Sequence, residues 1–146
     1  MLPTKTCTGC SACAHTCPKN CISMCGDKHG FLYPHINNDL CVNCGLCEKT
    51  CPVLNKVQEE IKKDIISYAA KNNNNNIRKS SSSGGVFSVI AERVLENDGM
   101  VYGAAFDENF VVKHIGISSV DNLDWLRRSK YVQSDLNNSF KCVESN

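Results

Sequence analysis

The clearest hydrophobic periodicity in this chain begins after residue 80. Val86, Val89, Ile90 and Val94 recur at helical spacing with Phe87 and Leu95 beside them, while Glu92, Arg93 and Glu96 occupy the other face. That pattern predicts an amphipathic helix, stopped by Asn97-Asp98-Gly99. Beyond it, Met100–Phe106 and Phe110–Ile117 predict two strands joined by a turn at Asp107-Glu108-Asn109. A short helix is expected over Asp121–Arg128, capped by Ser119 or Asp121, with Leu123, Trp125 and Leu126 as core packing. Upstream, Cys21–Met24 and Phe31–Tyr33 read as short strands around a turn at Gly26–Gly30. Ile65–Ala70 predicts another strand, and the asparagine run Asn72–Asn76 a solvated loop. No closing element is predicted after residue 141. The order helix, strand, strand, helix suggests an α+β or α/β domain.

Composition narrows the function classes. Lys+Arg number 16 against 15 Asp+Glu, for a formal net charge of +1, so neither a nucleic acid nor a membrane surface is expected as a partner. No apolar run approaches the roughly 20 residues needed to span a bilayer. The start, Met1 to Thr6, has no apolar core of a secretory signal, and a cytoplasmic location is expected. Eleven cysteines stand out, all but Cys142 lying between Cys7 and Cys51. Without a signal segment, and with an odd total, a metal or redox site is a better reading than a disulfide scaffold.

Ten of these cysteines fall in or beside an internal repeat. Cys7-Thr-Gly-Cys10-Ser-Ala-Cys13-Ala-His-Thr-Cys17-Pro18 returns as Cys41-Val-Asn-Cys44-Gly-Leu-Cys47-Glu-Lys-Thr-Cys51-Pro52. Iron clusters take soft thiolate ligands. A Cys-x-x-Cys-x-x-Cys loop wraps three corners of a cubane, and the fourth cysteine, followed by proline, ligates the other cluster. Two copies therefore interlock. Cluster one is assigned Cys7, Cys10, Cys13 and Cys51; cluster two is assigned Cys41, Cys44, Cys47 and Cys17. Structural zinc and disulfides are the competing readings. Cys21 and Cys25 are left over, Cys21 as a small buried residue, and Cys142 has no partner motif.

Two further patterns carry candidate chemistry. Ser80–Gly85 precedes the predicted helix, and Ser82, Ser83, Gly84 and Gly85 form either a phosphate cradle at its N-terminus or a flexible serine-capped linker. Arg127, Arg128 and Lys130 beside Tyr131 form either a basic grip or a solvated helix end. His15, inside the first cysteine run, is read as a surface residue; no Ser–His–Asp set or paired carboxylates suggest hydrolysis.

Cys7–Pro52 resembles the bacterial dicluster ferredoxins. Ser81–Ser88, Val101–Asp107, Val112–His114 and Leu126–Asp135 are similar to the start of the flavin domain in the coenzyme F420 hydrogenase/dehydrogenase beta-subunit family. That family also places a ferredoxin segment directly before its flavin domain, and its members continue past the equivalent of Asp135. The resemblance implies an α+β chain: residues 1–55 a dicluster 4Fe–4S ferredoxin-type domain, 56–79 a linker, and 80–146 the N-terminal portion of an incomplete α/β flavin-type domain. It implies two 4Fe–4S clusters, FAD held at its phosphate by Ser82, Ser83, Gly84 and Gly85, and a redox protein or other oxidoreductase subunit as partner. The expected activity is single-electron relay within an oxidoreductase, the alternative being a stand-alone ferredoxin-like carrier with a non-catalytic tail.

Overall fold

The computed structural model describes residues 2, 3, 5–56 and 65–145. Two compact units divide the chain: Met1–Lys62 together with Phe140–Asn146, and Lys63–Ser139. The last residues thus belong with the first unit, where the sequence reading had left them in the second domain. Part of the expected linker, residues 57–64, lies outside the described residues.

In the first unit the hairpin of β1 (Ile22–Gly26) and β2 (Leu32–Ile36) is antiparallel, running in register from Ile22↔Ile36 to Gly26↔Leu32. Asp27 shapes its turn: one carboxylate oxygen accepts from the amides of His29 at 2.8 Å and Phe31 at 3.0 Å, and Gly30 takes the left-handed conformation that glycine tolerates best. Two four-residue helices, α1 (Ala12–His15) and α2 (Leu46–Lys49), occupy equivalent places in the two cysteine repeats. The core gathers Leu2, Cys13, Cys21, Ile22 and Cys51. A C-terminal helix, α6 (Ser139–Ser145), is present where no closing element was predicted, and its Phe140 ring meets His15 edge-on at 5.0 Å. His15 is half-buried.

The second unit repeats the hairpin device. β3 (Val101–Phe106) pairs antiparallel with β4 (Val112–Ile117). Asp107 accepts from the amides of Asn109 and Val111, each at 2.9 Å, with Phe110 in the left-handed position that Gly30 fills in the first hairpin. Lys113 ion-pairs with Asp107 at 2.6 Å, which holds the Asp107 carboxyl below its ordinary range. The outer edge of β4 is met by Asp135: the amide of His114 donates to its carbonyl at 2.8 Å, and its own amide donates to Val112 at 2.9 Å.

Helix α4 (Val86–Leu95) forms where periodicity placed it, but a different face is buried. Ser88, Ala91 and Leu95 point inward, and Ala91 and Leu95 pack with Ala105, Ile117, Leu123 and Leu126. Val89 and Ile90 remain 48% and 61% exposed. Small residues let the helix approach the hairpin closely, so the predicted Val/Ile stripe is the outer one. The helix ends as its punctuation suggests: Asp98 is left-handed and the Gly99 amide donates to the Val94 carbonyl at 3.0 Å. A Cβ at Gly99 would lie 2.6 Å from the Val94 side chain.

Other expectations need correction. Ile65–Ala70 is exposed and joins no strand. The asparagine run starts a helix, α3 (Asn75–Ser80), because the Asn74 side chain accepts from the amides of Asn76 and Ile77. The predicted helix at 121–128 is shorter: a 3-10 turn, Val120–Asn122, capped by Ser119, leads into α5 (Leu123–Leu126). Leu123 and Leu126 are buried there, whereas Trp125 is 57% exposed and is not core.

Arg127 locks this unit together. Its Nε donates to the buried Ser88 hydroxyl at 3.0 Å, and its other nitrogens pair with Glu92 at 3.3 Å and with Asp124. Replacing Arg127 by Met strands that hydroxyl, and a loss of about 1–3 kcal/mol is expected in chemical unfolding. Adding Ser88→Ala to Arg127→Met should recover part of it.

Candidate metal centre

The cysteine loops owe their shape to alternating left-handed residues. In the first, Gly9 (φ 67°) and Ser11 (φ 59°) separate Cys7, Cys10 and Cys13; in the second, Asn43 (φ 53°) and Gly45 (φ 73°) hold the same positions between Cys41, Cys44 and Cys47. Such alternation curls a chain into a concave nest of amides suited to a negative group. The third cysteine of each run sits on the short helix that follows, Cys13 on α1 and Cys47 on α2. Matching amide bonds then end each helix, Thr16 to Ala12 and Thr50 to Leu46, each at 3.0 Å. The next residue is a cysteine before proline, which is held out of helical conformation.

The consequence is an exchange of thiols. One cavity, closed down to about 20 Å³, is lined by Cys7, Cys10 and Cys13 from the first loop and by Cys51 from the second. A larger one, about 280 Å³, is lined by Cys41, Cys44 and Cys47 from the second loop and by Cys17 from the first. Both quartets expected from the sequence are thereby brought together. None of the eleven cysteines forms a disulfide. Among the described residues no three His, Cys, Asp or Glu side chains converge as ligands of a single ion would; the thiols ring cavities instead. Four soft thiols drawn from two loops are the donor set that an iron–sulfur cubane takes.

The two sites differ in exposure. Cys13 and Cys51 are each 8% exposed, and burial pushes the Cys13 thiol up to about 11. Around the larger cavity Cys44 is exposed. At Cys17 burial acts to raise the thiol, but the amide and thiol of Cys21 and the amides of Lys19 and Asn20 outweigh it, so the net shift is downward. Cys21 is raised to about 11, first through its hydrogen bond with Cys17.

Residues 6–55 match the 4Fe-4S dicluster domain family. This segment is an iron–sulfur domain of the ferredoxin type. It is 37% identical over 43 residues to a protein named Ferredoxin 7Fe from Hydrogenibacillus schlegelii, a match covering 30% of this chain and 49% of that ferredoxin. It is 29% identical over 59 residues to ketoisovalerate oxidoreductase subunit VorC of Methanothermobacter marburgensis, covering 39% of this chain and 75% of VorC. The chain thus spans about half the length of the 7Fe ferredoxin it matches. No described helix is long and apolar enough to cross a membrane.

The Ser–Gly loop lies in the second unit. Ser82, Ser83, Gly84 and Gly85 line a cleft of about 400 Å³ with Val86, Phe87 and Leu126–Ser129. Gly84 is required there: its carbonyl accepts from the Asn72 amide at 2.7 Å, and a Cβ on it would meet the Ala70 carbonyl at 2.7 Å. The basic cluster is largely committed elsewhere. Arg127 is bound by Ser88, Glu92 and Asp124, and Lys130 donates to the carbonyls of Trp125 and Arg127. Arg128, exposed, reaches the loop at the Ser80 carbonyl, at 3.4 Å, and Tyr131 projects into solvent.

The sequence reading kept Cys21 as a small buried residue, which it is, but did not place it at the larger cavity, whose wall it joins as a fifth thiol. The available signal was its place four residues after Cys17, where the second repeat has no cysteine. The exposure difference predicts the order of oxidative loss. With a cubane in each cavity, iron should fall under measured oxygen exposure from about eight to about four per chain, the site at the Cys41–Cys47 loop emptying first. Electron paramagnetic resonance of the reduced protein distinguishes this from simultaneous decay.

Proposed function

We propose that this chain relays single electrons through two 4Fe–4S clusters, one held by Cys7, Cys10, Cys13 and Cys51 and the other by Cys41, Cys44, Cys47 and Cys17. The observation that carries this reading is the exchange of thiols, each cavity taking three from one loop and one from the other. Bound there, a cubane accepts and releases one electron at a time. The protein's own residues do the rest. The left-handed loop positions curl each loop so that its amides would face a bound anionic group, and Leu2, Met24 and Val53 would shield a cluster in the first site from water. Burial and amide hydrogen bonds are the levers by which such a fold sets reduction potential. The likeness to an oxidoreductase subunit favours work within a larger assembly, with another redox subunit as partner, in a cytoplasm that keeps thiols reduced.

A second reading concerns the Lys63–Ser139 unit. The cleft draws its walls from Ser81–Phe87 and Leu126–Ser129, two of the stretches similar to the flavin domain of the coenzyme F420 hydrogenase/dehydrogenase beta-subunit family. The free N-terminus of α4 begins at this loop, where no side chain caps it. Ser82, Ser83, Gly84 and Gly85 are the residues that would receive an FAD phosphate there.

Anaerobically purified protein should hold about eight irons and eight acid-labile sulfides per chain. Zinc in place of iron would overturn the proposal. Cys17→Ser should abolish the second cluster and spare the first, although it lies in the first run; loss of the first alone would refute the ligand assignment. Flavin measured in the same sample decides the second reading, for which about one per chain is expected and none would refute it.

A further inference from the structure

The first repeat holds a thiol for which the second has no counterpart. Four residues after Cys17 stands Cys21; four after Cys51 stands Asn55. Asn55 closes α2, its side-chain nitrogen donating to the carbonyls of Glu48 at 2.6 Å, Lys49 at 3.0 Å and Cys51 at 3.2 Å. Cys21 faces the larger cavity instead. It is 6% exposed, it forms the wall with Cys17, Cys41, Cys44 and Cys47, and its Sγ lies 3.3 Å from Sγ of Cys17. Five thiols therefore surround a site for a cluster with four iron corners. Ile22 and Ile36 share this wall and offer Cys21 no polar group. Its polar neighbours in contact are sulfurs of this same quartet, Cys17 first, at 3.3 Å, and then Cys41.

We propose that Cys21 is a positioning residue for the second cluster, its S–H donating a hydrogen bond to the ligating sulfur of Cys17 and raising that cluster's reduction potential. The inference rests on the ligand assignment proposed above. Reduction places additional negative charge on the cluster and its thiolates. A donor to a ligand sulfur stabilises the reduced state more than the oxidised one and raises the potential. Cys51 has Asn55 at the corresponding place, occupied with carbonyls, so the effect falls on one cluster only. Two sites built from the same repeat are thereby separated in potential, with the second the better electron acceptor of the pair than it would be by loop geometry alone.

The test is a redox titration of the full anaerobic chain followed by electron paramagnetic resonance, in wild type, Cys21→Ala and Cys21→Ser. The second cluster's signal is identified as the one that Cys17→Ser removes. Both Cys21 variants should keep about eight irons. Cys21→Ala should lower the potential of the second cluster and leave the first unchanged, and Cys21→Ser, which retains a donor, should restore part of the shift. An unchanged potential in Cys21→Ala overturns the inference, as does an equal shift of both clusters. Loss of the second cluster in Cys21→Ala overturns it too, because Cys21 would then be a ligand. A wild-type chain holding fewer than two cubanes refutes the ligand assignment itself, and the inference with it.

Discussion

Neither cysteine loop can complete a four-thiol site by itself, and the architecture of the first unit follows from that constraint. A run of three cysteines at two-residue intervals, curled by left-handed residues, wraps one side of a cavity. The fourth thiol has to arrive from elsewhere. The short helices α1 and α2 provide it by stopping after one turn, before a cysteine whose following proline keeps it out of the helix. That cysteine is directed to the partner loop's cavity. The β1–β2 hairpin lies between the two runs and lets the chain double back, so that the second copy meets the first.

The repeat is close in backbone but not in surroundings. Equivalent residues take left-handed conformations and equivalent amides end the two helices. Yet one cavity lies among Leu2, Met24 and Val53, and the other opens beside the exposed Cys44. Potential and oxygen sensitivity both respond to burial and to hydrogen bonds at sulfur. A duplicated motif can thus hold chemically unlike clusters without any change in ligand type.

The second unit solves a separate problem, packing a helix on a two-stranded sheet. It does so with small residues at the contact and with Arg127 reaching the buried Ser88 hydroxyl. Among the described residues no buried side-chain nitrogen or oxygen lacks a partner. Basic residues that looked available for an anion are mostly consumed by this work. Arg127 and Lys130 brace the chain, and the Ser–Gly loop keeps its glycines because the segment at Ala70–Asn72 runs directly against it.

Much of the candidate site was legible in the sequence, because ligand spacing is local and a proline after cysteine has a fixed steric effect. The paired repeats named the eight thiols and their division between two sites, and the hairpins announced themselves through short apolar runs around Asp-led turns. Other features depended on what lay across the fold. Periodicity showed that α4 was a helix but chose its outer face, since the inner one is selected by how closely the helix approaches the hairpin. Asn74 was an ordinary member of a polar run until the chain turned so that its side chain met two free amides. Cys21 was a spare small residue until folding set its sulfur against Cys17. By itself the sequence determined which thiols could be grouped into two quartets, because that rests on residue type and short-range spacing. Only the tertiary structure decided how deeply each site is buried and which neighbours touch its sulfurs, because those properties belong to distances between residues that the chain order keeps apart.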